Sequence, residues 1–123
     1  MNGVEILTDT NILIQLLEGN KPINEFLNDR VIYISFITEL ELMGYPSLSA
    51  EQGKTMKSMI DECIVIDINA EIKKQTIALR KKNKIRLPDA IIAATAIYYE
   101  LPMVSCDKDL KKIKELSLIL LDI

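Results

Sequence analysis

The sequence predicts an α/β domain with a central, mostly parallel sheet of about five short strands and helices on both faces. Short apolar segments rich in β-branched residues alternate along the chain with segments of helical composition. Of the residues, 49% are apolar and 27% are charged, a balance typical of a folded core inside a polar surface. Because the chain has 123 residues, we expect residues 1–123 to form a single domain.

The first half of the chain contains two strand-to-helix units. Glu5–Thr8 is a short apolar run, and residues 11–18 have the pattern of a helix that stops at Gly19. Val31–Ser35 is β-branched and aromatic, which predicts a second strand. Residues 38–43 are mostly good helix formers and precede a glycine, which predicts the helix of the second unit.

The second half continues the alternation of strands and helices. Residues 49–62 predict a helix with one apolar face, formed by Met56, Met59, Ile60 and Cys63. Pro88 suits the first turn of a helix because its ring presets φ and its missing N–H is not needed there. Two further helices are predicted, a basic one over residues 70–82 and an apolar one, opened by Pro88, over residues 88–99. The other predicted strands are residues 64–68, 103–105 and 118–121, with a short lysine-rich helix before the last of them.

The composition excludes several classes of site. The chain has no histidine, so it can form neither a Ser/His/Asp or Cys/His triad nor a zinc site that needs imidazole. The longest run without a charged residue, 90–99, is about half the length of a membrane-spanning helix. The first ten residues contain two acids and no basic stretch, unlike a signal peptide. We expect Cys63 and Cys106 to be buried free thiols in a reducing cytoplasm.

The net charge of −3 conceals an asymmetry. Residues 1–72 contain 4 basic and 12 acidic side chains, whereas residues 73–123 contain 11 basic and 6 acidic ones. Such a charge run is usually a solvated helix face, and the alternative is a surface that binds a phosphate backbone. The candidate contacts with such a backbone are Arg80, Lys81, Lys82, Lys84 and Arg86.

Acidic residues recur near the carboxyl ends of the predicted strands, where parallel sheets place reactive groups. Asp9 follows the first strand, Asp107 and Asp109 follow a later one, Asp89 opens the apolar helix, and Glu41 lies in the helix after the second strand. Singly, each has an ordinary explanation as a helix cap, a helix-dipole partner or a surface side chain. Together they would repel one another unless a cation lay among them, and oxygen ligands favour Mg²⁺ or Mn²⁺.

Four segments of the chain resemble the signature segments of PIN-domain ribonucleases, and in particular the VapC toxins of toxin–antitoxin pairs. They are L-T-D-T-N-I-L (7–13), I-S-F-I-T-E-L-E-L-M-G (34–44), L-P-D-A-I-I-A-A-T-A (87–96) and S-C-D-K-D-L (105–110). The resemblance extends over essentially the whole chain and implies a PIN-like three-layer sandwich. Two departures are Ser105, where the family often has threonine, and Leu110, where it often has an aromatic residue.

The resemblance implies roles for the acidic residues. Asp9 is similar to the first acid of the family, Glu41 to its glutamate and Asp89 to its third acid. Asp107 is our choice for the fourth, and Asp109 is a secondary candidate. Asn11 and Ser105 are secondary positions beside these acids.

The function that the resemblance implies is endoribonuclease activity. One or two Mg²⁺ or Mn²⁺ ions held by Asp9, Asp89 and Asp107 would activate a water that attacks RNA, and Glu41 would orient that water. A small cognate antitoxin and a homodimer are the implied protein partners. A PIN-fold scaffold without catalytic activity is the alternative, and a phosphoryl-accepting α/β domain, which leaves Glu41 unexplained, is a third interpretation.

Overall fold

The computed structural model describes residues 4–122, in which five strands form one sheet. The strands are β1 (Glu5–Thr8), β2 (Val31–Ser35), β3 (Ile64–Ile66), β4 (Met103–Ser105) and β5 (Leu118–Leu120). Their order across the sheet is β3-β2-β1-β4-β5, and every pairing between neighbours is parallel. The predicted parallel sheet is therefore confirmed. The crossovers on either side of β1 carry the chain outward in both directions from the centre.

Six α-helices and one short 3₁₀ helix connect the strands within the described residues. They are α1 (Thr10–Leu17), α2 (Lys21–Leu27), α3 (Phe36–Met43), α4 (Ala50–Asp61), α5 (Ala70–Lys82), α6 (Leu87–Tyr98) and the 3₁₀ helix Lys108–Lys112. None of the helices in this part of the chain is long and apolar enough to cross a lipid bilayer.

Helix α2 is the one helix of the described chain that the sequence analysis missed. Its signal was present, because Asn20 caps the helix by accepting a hydrogen bond from Ile23 N (3.1 Å) and Pro22 lies in the first turn. The sequence analysis uses Gly19 only as the end of the preceding helix. The short helix buries Ile23 and Leu27, and these two contacts with the core decide its conformation.

Helices cover both faces of the sheet because successive strand residues point to opposite sides. On one side, Leu7 of β1 and Met103 of β4 pack with α5 and α6 in one apolar cluster. On the other, Ile6 of β1 and Val104 of β4 pack with α1 and α2. Helices α3 and α4 complete this second side around Ile34. The predicted layers, with helices on both faces, are thus confirmed.

The apolar helix α6 forms the centre of the first side, and its residues 90–96 are all buried. The apolar face predicted for α4 also lies in the core, with Met56 and Ile60 buried and Met59 partly buried. Cys63 and Cys106 are free thiols, but each is half-buried rather than fully buried.

Because all strands run in the same direction, their carboxyl ends share one edge of the sheet. Three polar residues lie at this edge: Asp9, Ser35 and Ser105. Asp9 caps α1, Ser35 caps α3, and the Ser105 hydroxyl accepts a hydrogen bond from Asp107 N in the turn after β4. The N-terminus of α6 reaches the same edge, since Asp89 and Arg86 line a cavity together with Asp9. The topology therefore collects polar residues from distant parts of the chain.

Candidate active site

A cavity of about 650 Å³ opens at the carboxyl edge of the sheet. Four acidic residues from four separate segments line it, and we call it the acid cavity: Asp9, Glu41, Asp89 and Asp107. Asn11 and Arg86 line the same cavity, together with Thr10, Tyr45 and Cys106. The structure thus brings together the acids that the sequence analysis selected.

Asp9 is both a helix cap and a wall of the acid cavity. Its Oδ1 accepts a hydrogen bond from Ile12 N (3.1 Å), which caps α1, and its side chain is buried, with the residue only 9% exposed. The two explanations weighed for Asp9 are therefore compatible. Burial raises the pKa of Asp9 most, the hydrogen bonds from Ser105 and Ile12 oppose this, and the charges of Asp89 and Asp107 raise it further.

Ser105, at the end of β4, joins two of the acids. Its buried hydroxyl donates to Asp9 Oδ2 (2.5 Å) and accepts a hydrogen bond from Asp107 N (3.0 Å). One small side chain thereby fixes the orientation of the Asp9 carboxylate and the turn that carries Asp107. A threonine would offer the same hydroxyl, so the serine keeps the polar function of the family's usual residue.

Glu41 is held by a pair of threonine hydroxyls. Thr10 Oγ1 lies 2.5 Å from Glu41 Oε1 and 3.1 Å from the hydroxyl of Thr38, which is fully buried. An ionised carboxylate only accepts and a hydroxyl has one proton, so Thr10 donates to Glu41 and accepts from Thr38. Glu41 is half-buried, whereas its neighbour Leu40 is 58% exposed. The helix thus turns the glutamate rather than the leucine toward the cavity.

Asp89 lies in the first turn of α6, where the helix dipole favours a negative charge. Arg86, the N-cap residue of the same helix, places Nε 3.4 Å from Asp89 Oδ2. The arginine side chain is 76% exposed and the aspartate side chain 28% exposed, so solvent screens this ion pair.

The two candidates for the fourth acid occupy different positions. Asp107 lines the acid cavity and caps the 3₁₀ helix, where its Oδ1 accepts a hydrogen bond from Asp109 N (2.9 Å). Asp109 is exposed and is not among the residues that line the cavity. Asn11 is exposed at the start of α1 and lines the cavity.

The predicted basic contacts separate into two groups. Arg86 is the only one of the five candidates that lines the acid cavity in the described part of the chain. Lys82 forms an ion pair with Glu115 (3.0 Å), and Arg80 donates to the carbonyl of Ile85 (3.4 Å). Lys81 and Lys84 are exposed beside them.

The carboxylates share a cavity without being gathered at one point. Within residues 4–122, no three acidic or cysteine side chains are close enough to constitute a ligand set for a metal ion. Their donors are all oxygens, which suits a hard divalent cation. After burial, the negative charges of Asp89 and Asp107 also raise the pKa of Asp9, and a cation among them would relieve this repulsion. By donor chemistry and electrostatics, the residues fit Mg²⁺ or Mn²⁺.

Thr10, Cys106 and Tyr45 also line the cavity, and the sequence analysis did not select them. Thr10 had a signal, because it lies between Asp9 and Asn11 in the D-T-N segment. Cys106 lies between Ser105 and Asp107, and Asp9 and burial both raise the pKa of its thiol, with burial the larger cause. No local pattern indicates Tyr45, because the fold of the loop after α3 brings it to the cavity.

A second depression lies between α1 and α4, and we call it the α1–α4 groove. Its volume is about 520 Å³, and it shares Ile14 and Tyr45 with the acid cavity. Its lining includes Leu17 and Leu48, and the acids Glu18 and Glu51.

The family model of the PIN domain matches residues 6–116, which is most of the chain. The chain belongs to the PIN-domain family. This PIN domain is similar over most of its length to a chain of a toxin–antitoxin complex from Klebsiella pneumoniae, with 32% identity and a TM-score of 0.81. That alignment covers 93% of this chain and 95% of the other.

Two further solved structures share the fold of this PIN domain. VapBC2 from Rickettsia felis, bound to a DNA fragment from its promoter, is 24% identical with a TM-score of 0.83, and the alignment covers 97% of this chain and 100% of the other. VapBC-1 from nontypeable Haemophilus influenzae is 22% identical with a TM-score of 0.77, covering 95% and 98%. No curated protein gives a significant match. The family match and the neighbours confirm the resemblance to VapC-like PIN toxins.

Proposed function

We propose that this PIN domain is a Mg²⁺- or Mn²⁺-dependent endoribonuclease and the toxin of a VapBC-type toxin–antitoxin pair. The observation that carries the proposal is the acid cavity, in which Asp9, Glu41, Asp89 and Asp107 meet although they are distant in sequence. Burying and clustering carboxylates costs free energy, so an arrangement of this kind is typical of a functional site.

Asp9, Asp89 and Asp107 would hold the divalent cation. When bound, the cation supplies a water of lowered pKa and compensates the charge that develops on the phosphate under attack. Asp9 is prepared for this role because Ile12 N and the Ser105 hydroxyl fix its two oxygens. Such fixed partners around a ligand keep its orientation when the cation binds.

Glu41 orients the attacking water and receives its proton. Thr10 donates to Glu41 Oε1, so that oxygen is held in place while the second oxygen stays available to the water. Arg86 has its Nε directed to Asp89 and lies on the cavity wall. Its terminal nitrogens would bind a phosphate oxygen of RNA there. The water oxygen would bond to phosphorus as the P–O3′ bond breaks, and the departing 3′ oxygen would take a proton from solvent. The expected products are RNA fragments with 5′-phosphate and 3′-hydroxyl ends.

The protein partner of the pair is a small antitoxin whose segment occupies the α1–α4 groove and directs an arginine into the acid cavity. The apolar side chains of the groove would contact apolar residues of that segment, and Ile14 and Tyr45 connect the two depressions. Similarity to a chain from a toxin–antitoxin complex supports this partner. An arginine among the four acids would neutralise charge in the same place as the cation.

A second copy of the chain is the other proposed partner. Leu40 and Met43 on α3 are 58% and 47% exposed, and Ile64 and Val65 on the edge strand β3, which contacts α3, are 46% and 37% exposed. Exposed apolar side chains on two contacting elements are typical of a subunit interface. Light scattering on the purified protein measures this directly, and a monomer at micromolar concentration would exclude the homodimer.

The nuclease proposal is tested by incubating structured RNA with Mg²⁺ or Mn²⁺ and either the wild type or Asp89→Asn, purified identically. We expect the wild type to cleave RNA and the variant to lose activity by about 10³-fold, since a cation ligand contributes several kcal/mol. Equal activity of both proteins would identify a contaminating nuclease. A folded wild type that cleaves no RNA would favour the alternative, a PIN-fold scaffold without catalysis.

A further inference from the structure

Two basic segments that are distant in sequence lie side by side in the structure. Lys112 Nζ donates to the carbonyl oxygen of Lys84 (2.6 Å), and Lys82 Nζ lies 3.0 Å from Glu115 Oε2. These contacts join the end of α5 and the following loop to the 3₁₀ helix and the turn after it. We call the basic side chains of residues 80–86 and 108–114 together the basic surface.

Both segments of the basic surface adjoin the acid cavity at one end. Arg86, the last residue of the first segment, caps α6 and lines the cavity. Asp107, the residue before the second segment, caps the 3₁₀ helix and also lines the cavity. The two segments therefore extend from neighbouring parts of the cavity wall and contact each other farther out.

The charge of this surface is strongly one-sided. Residues 80–86 and 108–115 contain nine basic side chains against two acidic ones, although the whole chain has a net charge of −3. All nine basic residues are exposed. Among the described residues, the Nζ atoms of Lys108, Lys111 and Lys114 form no hydrogen bond or ion pair, so these ammonium groups remain available to a ligand.

We propose that the basic surface binds the phosphate backbone of single-stranded RNA on one side of the cleaved bond, with the 3₁₀ helix as its principal contact. This inference rests on the proposed function for the presence of RNA in the acid cavity. Four carboxylates repel a polyanion, so favourable contacts with the flanking phosphates are needed to hold RNA there.

The side of the cavity formed by Ile14 and Tyr45, where the α1–α4 groove adjoins it, does not offer such contacts. The α1–α4 groove has Glu18 and Glu51 in its lining, and no Lys or Arg lines it in the described part of the chain. An RNA strand that passes through the acid cavity is thus attracted on the side of Arg86 and Lys108 and repelled on the other. The difference in charge fixes the direction in which the strand leaves the cavity.

The test measures binding of a fluorescein-labelled single-stranded RNA of about 20 nucleotides in EDTA, where the divalent-dependent cleavage is blocked. The test variant is K108Q/K111Q/K114Q, which removes three ammonium groups that form no hydrogen bond or ion pair among the described residues. The matched control is K21Q/K54Q/K57Q, which removes three exposed lysines of α2 and α4. Both variants change the net charge equally, and their melting temperatures are measured first.

We expect the test variant to bind RNA at least about 10-fold more weakly than the control at 0.1 M salt. The slope of log Kd against log salt should fall by about 2, since each phosphate contact on a single strand contributes about 0.7. In Mn²⁺, the test variant should raise KM for RNA and leave kcat near that of the wild type.

Three results would overturn the proposal. The first is equal RNA binding by the test and control variants, and the second is a wild type that binds no RNA up to about 100 µM. The third is a test variant that loses binding to phosphatidylglycerol vesicles but still binds RNA. A wild type that binds RNA through these lysines but cleaves none would overturn the nuclease function and support the surface. Conversely, if the test and control variants cleave RNA with equal KM, the nuclease function is supported and the role of the basic surface is overturned.

Discussion

The α1–α4 groove and the basic surface adjoin the same acid cavity, but they differ in charge and in shape. The groove is a concave depression lined by leucines, a tyrosine and two glutamates. The basic surface is exposed and carries nine basic side chains. A concave apolar groove suits a protein segment, and an exposed cationic surface suits a phosphate backbone. If both proposed partners bind, a single site would serve the two of them, since each would approach the acid cavity over a different surface.

The largest expected effect is on RNA cleavage, and it distinguishes Asp107, which lines the acid cavity, from Asp109, which lies among the lysines of the basic surface. Asp107→Asn should reduce RNA cleavage by about 10³-fold, because it removes a ligand of the cation. Asp109→Asn is the matched control, since it makes the same change two residues away on an exposed side chain outside the cavity. We expect it to retain activity within a few-fold. A larger loss in Asp109→Asn than in Asp107→Asn would reverse the assignment of the fourth acid.

The next effect concerns the hydroxyl that holds Glu41. Thr10→Val keeps the side-chain shape but removes the donor to Glu41, and we expect kcat to fall by about 10- to 100-fold with KM for RNA nearly unchanged. Thr10→Ser keeps the hydroxyl and should recover most of the activity. A merely structural role would be shown if both variants lowered the melting temperature equally and lost activity in parallel.

A smaller effect separates the groove from the basic surface. Thr55→Arg places a long charged side chain in the α1–α4 groove, whereas Ser58→Arg makes the same change on an exposed residue of α4 outside the groove lining. Binding of the small protein encoded by the adjacent reading frame should weaken about 10-fold or more in Thr55→Arg alone. RNA cleavage should remain unchanged in both. If both variants bind that protein like the wild type, the groove does not hold the partner.

The smallest effect concerns the stability of the acid cavity itself. Burial raises the pKa of Asp9 above its value of 3.8 in the unfolded chain, so the folded state favours the protonated carboxyl. The contribution of this group to stability is therefore full below pH 3.8 and is lost as the pH rises through the folded-state pKa. Asp9→Asn removes this dependence, and asparagine still caps a helix.

Urea denaturation at several pH values measures the effect of Asp9→Asn. We expect the variant to have a higher midpoint concentration of urea than the wild type at pH 7, and the difference to shrink toward pH 4. The variant should also be inactive, so that a gain in stability accompanies a loss of function. A variant that is less stable than the wild type at pH 7 would contradict this interpretation of the buried carboxylate.

Much of the site was predictable from local signals in the sequence. Asp9 and Asp107 each follow an apolar strand, and Asp89 follows a proline that begins a helix, so their positions at one edge follow from the parallel sheet. Glu41 was also a candidate, from its place in the helix after the second strand, and the resemblance to PIN domains implied its role. Helix α2 was missed because its seven residues have only two buried side chains to reveal a pattern.

By itself, the sequence determined the α/β class, the alternation of strands and helices, the absence of histidine chemistry and the identity of the candidate acids. Those properties depend on composition and short-range periodicity, which neighbouring residues fix. The tertiary structure decided that Thr10 holds Glu41, that Asp107 rather than Asp109 faces the acid cavity, and that two basic segments form one surface. These depend on contacts between residues about 30 or more positions apart, and only the packing of the folded chain brings such residues together.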